Sequence, residues 1–217
     1  KALLGKKAKP VLIGPVSYLL LGKEKETGFE RIDLLQKILP VYVAVLNRLK
    51  QLGAEWIQLD EPFLALDLSA EEKAAFEQAY RYIAKETAGI RILVATYFEG
   101  LSGNTQLAVN LPVAALHIDL VRAPEQLEEV LAVIPGHLIL SLGVVDGRNV
   151  WKNCYERSLS FISKAIQKIG GDRIIIAPSC SLLHSPIVLD LETTIVPEIK
   201  NWMAFAKEIL YEIPDLS

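Results

Sequence analysis

Short, almost continuously apolar runs alternate with longer segments whose apolar residues recur every three or four positions, the pattern that builds parallel sheets covered by helices. Six such pairs are present. The runs are Pro10 to Val16, Trp56 to Leu59, Ile92 to Thr96, Ala115 to Leu120, Leu138 to Leu142 and Arg173 to Ala177. Because they are not alternating, each is expected to be a strand buried on both faces. A Lys/Glu/Gly loop follows the first run. The helical period then covers Phe29 to Leu52, where Leu34, Leu35, Ile38, Val41, Val45 and Leu49 share a face and Pro40 predicts a bend. Ser69 is placed to cap a helix over Ala70 to Thr87, with Glu71 and Glu72 at the positive end of its dipole. A short helix from Asn104 or Thr105 ends near Pro112. Further helices are predicted over Glu125 to Val133, Asn149 to Ile169 and Leu191 to Tyr211, with Gly170-Gly171 supplying a left-handed exit and Pro197 inside the last.

The strand-helix alternation defines an α/β fold. A doubly wound sheet normally carries G-x-G-x-x-G after its first strand, and none is present, so a TIM-type (β/α) barrel is favoured. Such a barrel needs eight βα units and six are visible. The chain also opens at Lys1 without methionine, so about two N-terminal units are expected to be missing and the chain to self-associate. No linker divides the sequence, and residues 1 to 217 are expected to be part of a single domain.

Composition narrows the partners. The 217 residues are 51% hydrophobic and 23% charged, with a net charge of -3, enough for a sizeable core but without a basic stripe for nucleic acid. The longest apolar run, Val11 to Leu21, is too short and too broken by Gly14, Pro15 and Ser17 to span a membrane. Two cysteines, Cys154 and Cys180, fit a reducing cytoplasm. A small-molecule partner is expected.

Barrel chemistry sits at the C-terminal ends of strands. There the sequence offers Ser17; Asp60 and Glu61; Thr96, Tyr97 and Glu99; Asp119 and Arg122; Asp146, Arg148 and Asn149; and Ser179, Cys180, Ser181 and His184. Strands must become polar where they leave the core, which by itself accounts for about half of these. Asp60-Glu61-Pro62 places two carboxylates on opposite sides of a strand end. One can face the mouth, to bind an amine or position a base, while the other pairs with a neighbour; a capped turn explains the motif equally well. Cys180 with His184 four residues on is weak spacing for zinc, and a structural cysteine is favoured. Arg122 can clamp a carboxylate or phosphate, or serve as the internal partner of Asp119.

Six segments in order resemble the N-terminal half of the cobalamin-independent methionine synthases. They are KPVLIGPVSYLLLGK (Lys9 to Lys23), GAEWIQLDEPFLALDL (Gly53 to Leu68), ATYFEGL (Ala95 to Leu101), LHIDLVR (Leu116 to Arg122), LSLGVVDGRNVWKN (Leu140 to Asn153) and IAPSCSLLHSP (Ile176 to Pro186). The resemblance implies an enzyme of two similar barrels that passes the methyl group of a 5-methyltetrahydrofolate polyglutamate to homocysteine. In it, the C-terminal barrel holds homocysteine through zinc and the N-terminal barrel supports it and the folate. Tyr97 and Glu99 stand where the catalytic half has a His-x-Cys pair, Asp119 where it has a ligand Glu, and Cys180 where it has a ligand Cys. The implied reading is a degenerate metal site, with no zinc or other cofactor expected in this chain. Barrel-mouth binding is expected of Asp60, Glu61, Asp119 and Arg122, and no catalytic residue is expected. The chain alone is expected to be inactive. Two other readings compete. One is an independent barrel enzyme, related to corrinoid methyltransferases or uroporphyrinogen decarboxylase, that uses Asp60, Asp119 and Cys180 directly; the other is a purely structural domain.

Overall fold

The structure is a computed structural model that describes residues 8–217. Its strands are β1 (Val11–Ile13), β2 (Trp56–Asp60), β3 (Arg91–Ala95), β4 (Ala115–Asp119), β5 (Ile139–Val145) and β6 (Ile174–Pro178). They form a parallel six-stranded sheet in the order β1-β2-β3-β4-β5-β6. A doubly wound sheet reverses its order at a switch point, whereas the staves of a (β/α) barrel follow one another as these do. The α/β expectation from the apolar runs therefore holds, but burial of every strand on both faces does not: Val11 and Ile13 of β1 are exposed and β6 is half-buried throughout, the two strands at the ends of the order.

The described residues fall into two compact units. The first lies within Lys1–Thr96, Leu101–His117 and Val133–Leu138; the second is Tyr97–Gly100, Ile118–Ala132 and Ile139–Ser217. In the first unit, helices α1 (Pro15–Leu21), α2 (Leu35–Gln51), α3 (Ala70–Glu86) and α4 (Thr105–Asn110) accompany β1, β2 and β3. Leu39, Leu46, Ile57, Leu59, Phe76, Tyr80 and Val94 are buried there. Register pairs Gln58 with Leu93 and Asp60 with Ala95, so alternate residues of neighbouring strands share a face. The second unit carries most of α5 (Gln126–Val133), and α6 (Tyr155–Ile169), α7 (Pro197–Lys200) and α8 (Ala206–Glu212). Leu127, Val130, Leu140, Leu142 and Ile162 are buried in it, and Leu189, Met203 and Phe205 make a small separate core with Val150 and Ile195.

Local signals set several boundaries. Ser69 accepts the Glu72 N–H at 3.1 Å while Glu72 accepts the Ser69 N–H at 2.8 Å, a reciprocal cap that starts α3 where the sequence predicts it. Gly170 exits α6 at φ 85°, a left-handed conformation that costs a side chain more than it costs glycine.

Four boundaries differ from expectation. The helix read from Phe29 begins at Leu35, after a 3-10 turn over Arg31–Leu34. The first apolar run is a strand only to Ile13; Pro15 begins α1, because proline at a first helical position has a suitable φ and lacks an N–H that would otherwise go unbonded. The helix expected from Asn149 starts at Tyr155. Asp146 accepts from the Arg148 N–H at 2.8 Å and Asn149 from the Trp151 N–H at 3.0 Å, side-chain turns that compete with helix. The long last helix is split into α7 and α8, since Lys152 N–H bonds Trp202 O and Ala204 N–H bonds Val150 O, at 2.9 Å each. Cys154 is the exposed N-cap residue of α6. No helix among the described residues is long and apolar enough to cross a membrane.

Candidate functional site

Each unit gathers polar side chains at its strand ends. In the first, Asp60 ends β2 and Glu61 follows it at the start of a 3-10 turn, and the two carboxylates take different partners. Asp60 accepts from Gln58 Nε2 at 2.7 Å, and Gln58 Oε1 accepts from Lys9 Nζ at 2.6 Å, a relay of amide and ammonium along the strand. Burial pushes the Lys9 ammonium pKa down, and the Asp60 charge opposes that shift. Glu61 is 0% exposed. Its Oε2 accepts the Ser17 N–H at 2.8 Å and its Oε1 the Tyr80 hydroxyl at 2.9 Å, so the carboxyl caps the start of α1 from a different element. Burial pushes its pKa up to about 7, with the Ser17 and Tyr80 bonds opposing the rise. Gly14 is required beside it, because a methyl group on that α-carbon would overlap the Glu61 carboxyl. The Tyr80 hydroxyl, buried against this carboxyl, is raised well above its ordinary range.

In the second unit, Asp119 ends β4 and organises a loop. Its Oδ2 accepts the Phe98 N–H at 3.1 Å, and its Oδ1 accepts the Val121 and Arg122 N–H groups at 3.0 Å each. Burial raises the Asp119 pKa, and those three bonds and the Arg122 charge pull it back. Arg122 is thus a minor partner of Asp119; backbone donors do most of that work. Phe98 takes φ 77°, a strained conformation for a side-chain-bearing residue. Its ring meets Tyr97 at 4.8 Å and His184 at 5.3 Å, both edge-on, and the Arg148 guanidinium lies 4.5 Å above it. Glu99 is exposed. Cys180 is buried, its thiol donating to Ser181 O at 3.7 Å, and Gly147 packs on it so closely that an added methyl would sit 3.0 Å from the sulfur. Burial pushes the Cys180 thiol up to about 11.

Tyr97, Glu99, Asp119 and Cys180 bring no imidazole and a single thiol to the positions that the resemblance matches to zinc ligands, and Asp119 already directs its oxygens to three N–H groups, a poor donor set for zinc. Among the described residues no three His, Cys, Asp or Glu side chains are grouped to hold a metal ion.

Of the residues singled out in the sequence, the structure brings Tyr97, Asp119, Arg122, Arg148, Cys180 and His184 to one loop region of the second unit, with Asp60 and Glu61 in the first. Phe98 was missed. It is an apolar residue between Tyr97 and Glu99, and its strained backbone has no signature in the sequence.

Parallel strands with hydrogen-bonded polar ends define an α/β protein of the barrel type. The chain matches the family described as cobalamin-independent synthase, N-terminal domain, over residues 1–170, and it belongs to that family. It is 55% identical over its full length to a 5-methyltetrahydropteroyltriglutamate–homocysteine methyltransferase of Cytophaga hutchinsonii, and 52% identical over 97% of its length to the protein of that name from Flavobacterium johnsoniae. It spans 28% of each of these relatives. Among solved structures, a B12-independent methionine synthase from Shewanella sp. W3-18-1, in complex with selenomethionine, superposes with TM-score 0.60 at 12% identity over 79% of this chain and 54% of that one, a likeness of fold.

Proposed function

We propose that residues 1–217 are part of a single N-terminal barrel domain of an enzyme that transfers the methyl group of a 5-methyltetrahydrofolate polyglutamate to homocysteine, yielding methionine in the cytoplasm. The observation that carries this reading is the 55% identity over the whole chain to a relative bearing that activity in its name. The segment is a scaffold that supports the folate. A C-terminal barrel of the same protein supplies the zinc-bearing site, and the chain alone has no turnover. Asp60, Glu61, Asp119 and Arg122 serve substrate binding in different ways. Glu61 and Asp119 act as positioning residues, because their oxygens hold α1 and the loop after β4. Asp60 and Arg122 remain the candidates to meet ligand directly, and no proton-transfer or methyl-transfer step is assigned to any of the four.

The test is a transplant. The corresponding segment of the Cytophaga hutchinsonii relative is replaced by residues 1–217, and methyl transfer to homocysteine is measured. Activity within about tenfold of that relative is expected, since a correctly placed scaffold leaves the reacting geometry intact. A folded, stable transplant without methyl transfer would overturn the proposal.

A further inference from the structure

The acids at the strand ends of the second unit are committed to loop donors. Asp119 accepts three backbone N–H groups, and Asp146 accepts from the Arg148 N–H at 2.8 Å and from Asn149 Nδ2 at 3.0 Å. Neither carboxylate turns to a guanidinium. Arg122 and Arg148 are exposed, and among the described residues no ion pair or side-chain hydrogen bond engages either guanidinium.

Arg148 is nonetheless held in place. Its guanidinium lies 4.5 Å above the Phe98 ring, and His184 supports that ring edge-on at 5.3 Å. Phe98 keeps its unfavourable φ of 77° while Asp119 accepts its N–H, so a carboxylate and a strained backbone together aim the ring that carries the arginine. Stacking covers the face of a guanidinium and leaves its in-plane N–H edge free, the edge that binds the two oxygens of a carboxylate or phosphate. Such an arginine has already lost much of the rotamer freedom that a mobile surface arginine must surrender on binding. Opposing it are Glu99, exposed on the same loop, and the Asp119 and Asp146 charges.

We propose that Arg148, laid on Phe98 with His184 at the ring edge, is a docking site for a small molecule bearing an oxyanion, either a carboxylate or a phosphate. The site goes beyond the methyl-transfer reading and stands or falls independently of it.

The 217-residue chain, held below the concentration at which it self-associates, is titrated with glutarate and, separately, with inorganic phosphate at low ionic strength, following the ring resonances of His184 and Phe98. Saturable shifts with a Kd in the range of about 1 to 10 mM are expected for at least one anion. Glutarate binding more tightly identifies a carboxylate ligand, and the reverse order a phosphate ligand. Arg148→Gln should weaken binding at least about tenfold, and Arg148→Lys, which keeps the charge but loses the planar fork, about threefold. Arg148 is exposed, so both variants should keep the wild-type circular dichroism. No saturable shift with either anion up to about 20 mM, or wild-type affinity in Arg148→Gln, would refute the proposal.

Discussion

Replacing Glu61 by glutamine isolates the energetic consequence of a buried carboxyl. The folded group titrates at about 7 against an ordinary 4.5, because burial disfavours the anion more than the Ser17 N–H and Tyr80 hydroxyl favour it. At ~1.4 kcal/mol per pH unit, that gap corresponds to about 3 kcal/mol. The folded carboxyl holds its proton more tightly than the unfolded one, so its contribution is fully present below pH ~4.5, is lost as pH rises to about 7, and is constant above that. Tyr42 and Tyr80 face this carboxyl from α2 and α3, and both are raised, so they stay neutral throughout that range. Glutamine keeps an oxygen for Ser17 and gives the Tyr80 hydroxyl a donor, but it cannot ionise. Urea unfolding of wild type and Glu61→Gln between pH 4.5 and 8 should therefore give two different pH profiles. The variant's stability relative to wild type should rise by about 3 kcal/mol across the window, with other titrations cancelling in the difference. A difference that stays flat with pH would refute the reasoning.

Gly14→Ala should destabilise the chain by about 1 to 3 kcal/mol, read as a lower urea midpoint, because its backbone is open to alanine but the added methyl meets Glu61; combining it with Glu61→Ala should recover much of the loss. Asp119→Ala should cost about 2 kcal/mol and speed amide exchange at Phe98, Val121 and Arg122, since three N–H groups lose a charged acceptor; unchanged exchange would contradict that role. Alkylation at pH 8 followed by mass spectrometry should modify exposed Cys154 in the native chain and Cys180 only after denaturation, as the Cys180 thiol is buried and held near 11. The chain alone should self-associate in analytical ultracentrifugation, because Val11, Ile13, Leu183, Ile187, Leu191 and Trp202 expose apolar surface; a strict monomer at all concentrations would count against this.

By itself the sequence determined the parts of the fold that depend on local burial. Apolar runs covered on both faces mark β2 to β5, and Ser69 with Glu72 marks the start of α3, because periodicity and capping act over a few residues. Matched segments in order also made the family legible, and the comparison over residues 1–170 agrees. Tertiary structure alone decided what adjacent polar residues do. Nothing in Asp60-Glu61 says which carboxyl is sealed against Tyr80, since that choice depends on a helix and a glycine far away in the chain. The loop from Asn149 and the break between α7 and α8 arise from pairing between Val150 to Lys152 and Trp202 to Ala204, segments about fifty residues apart that no local pattern links. The Phe98, Arg148 and His184 cluster has the same origin: three βα loops converge, and the strained backbone that aims the phenylalanine is sustained by an aspartate on the next strand.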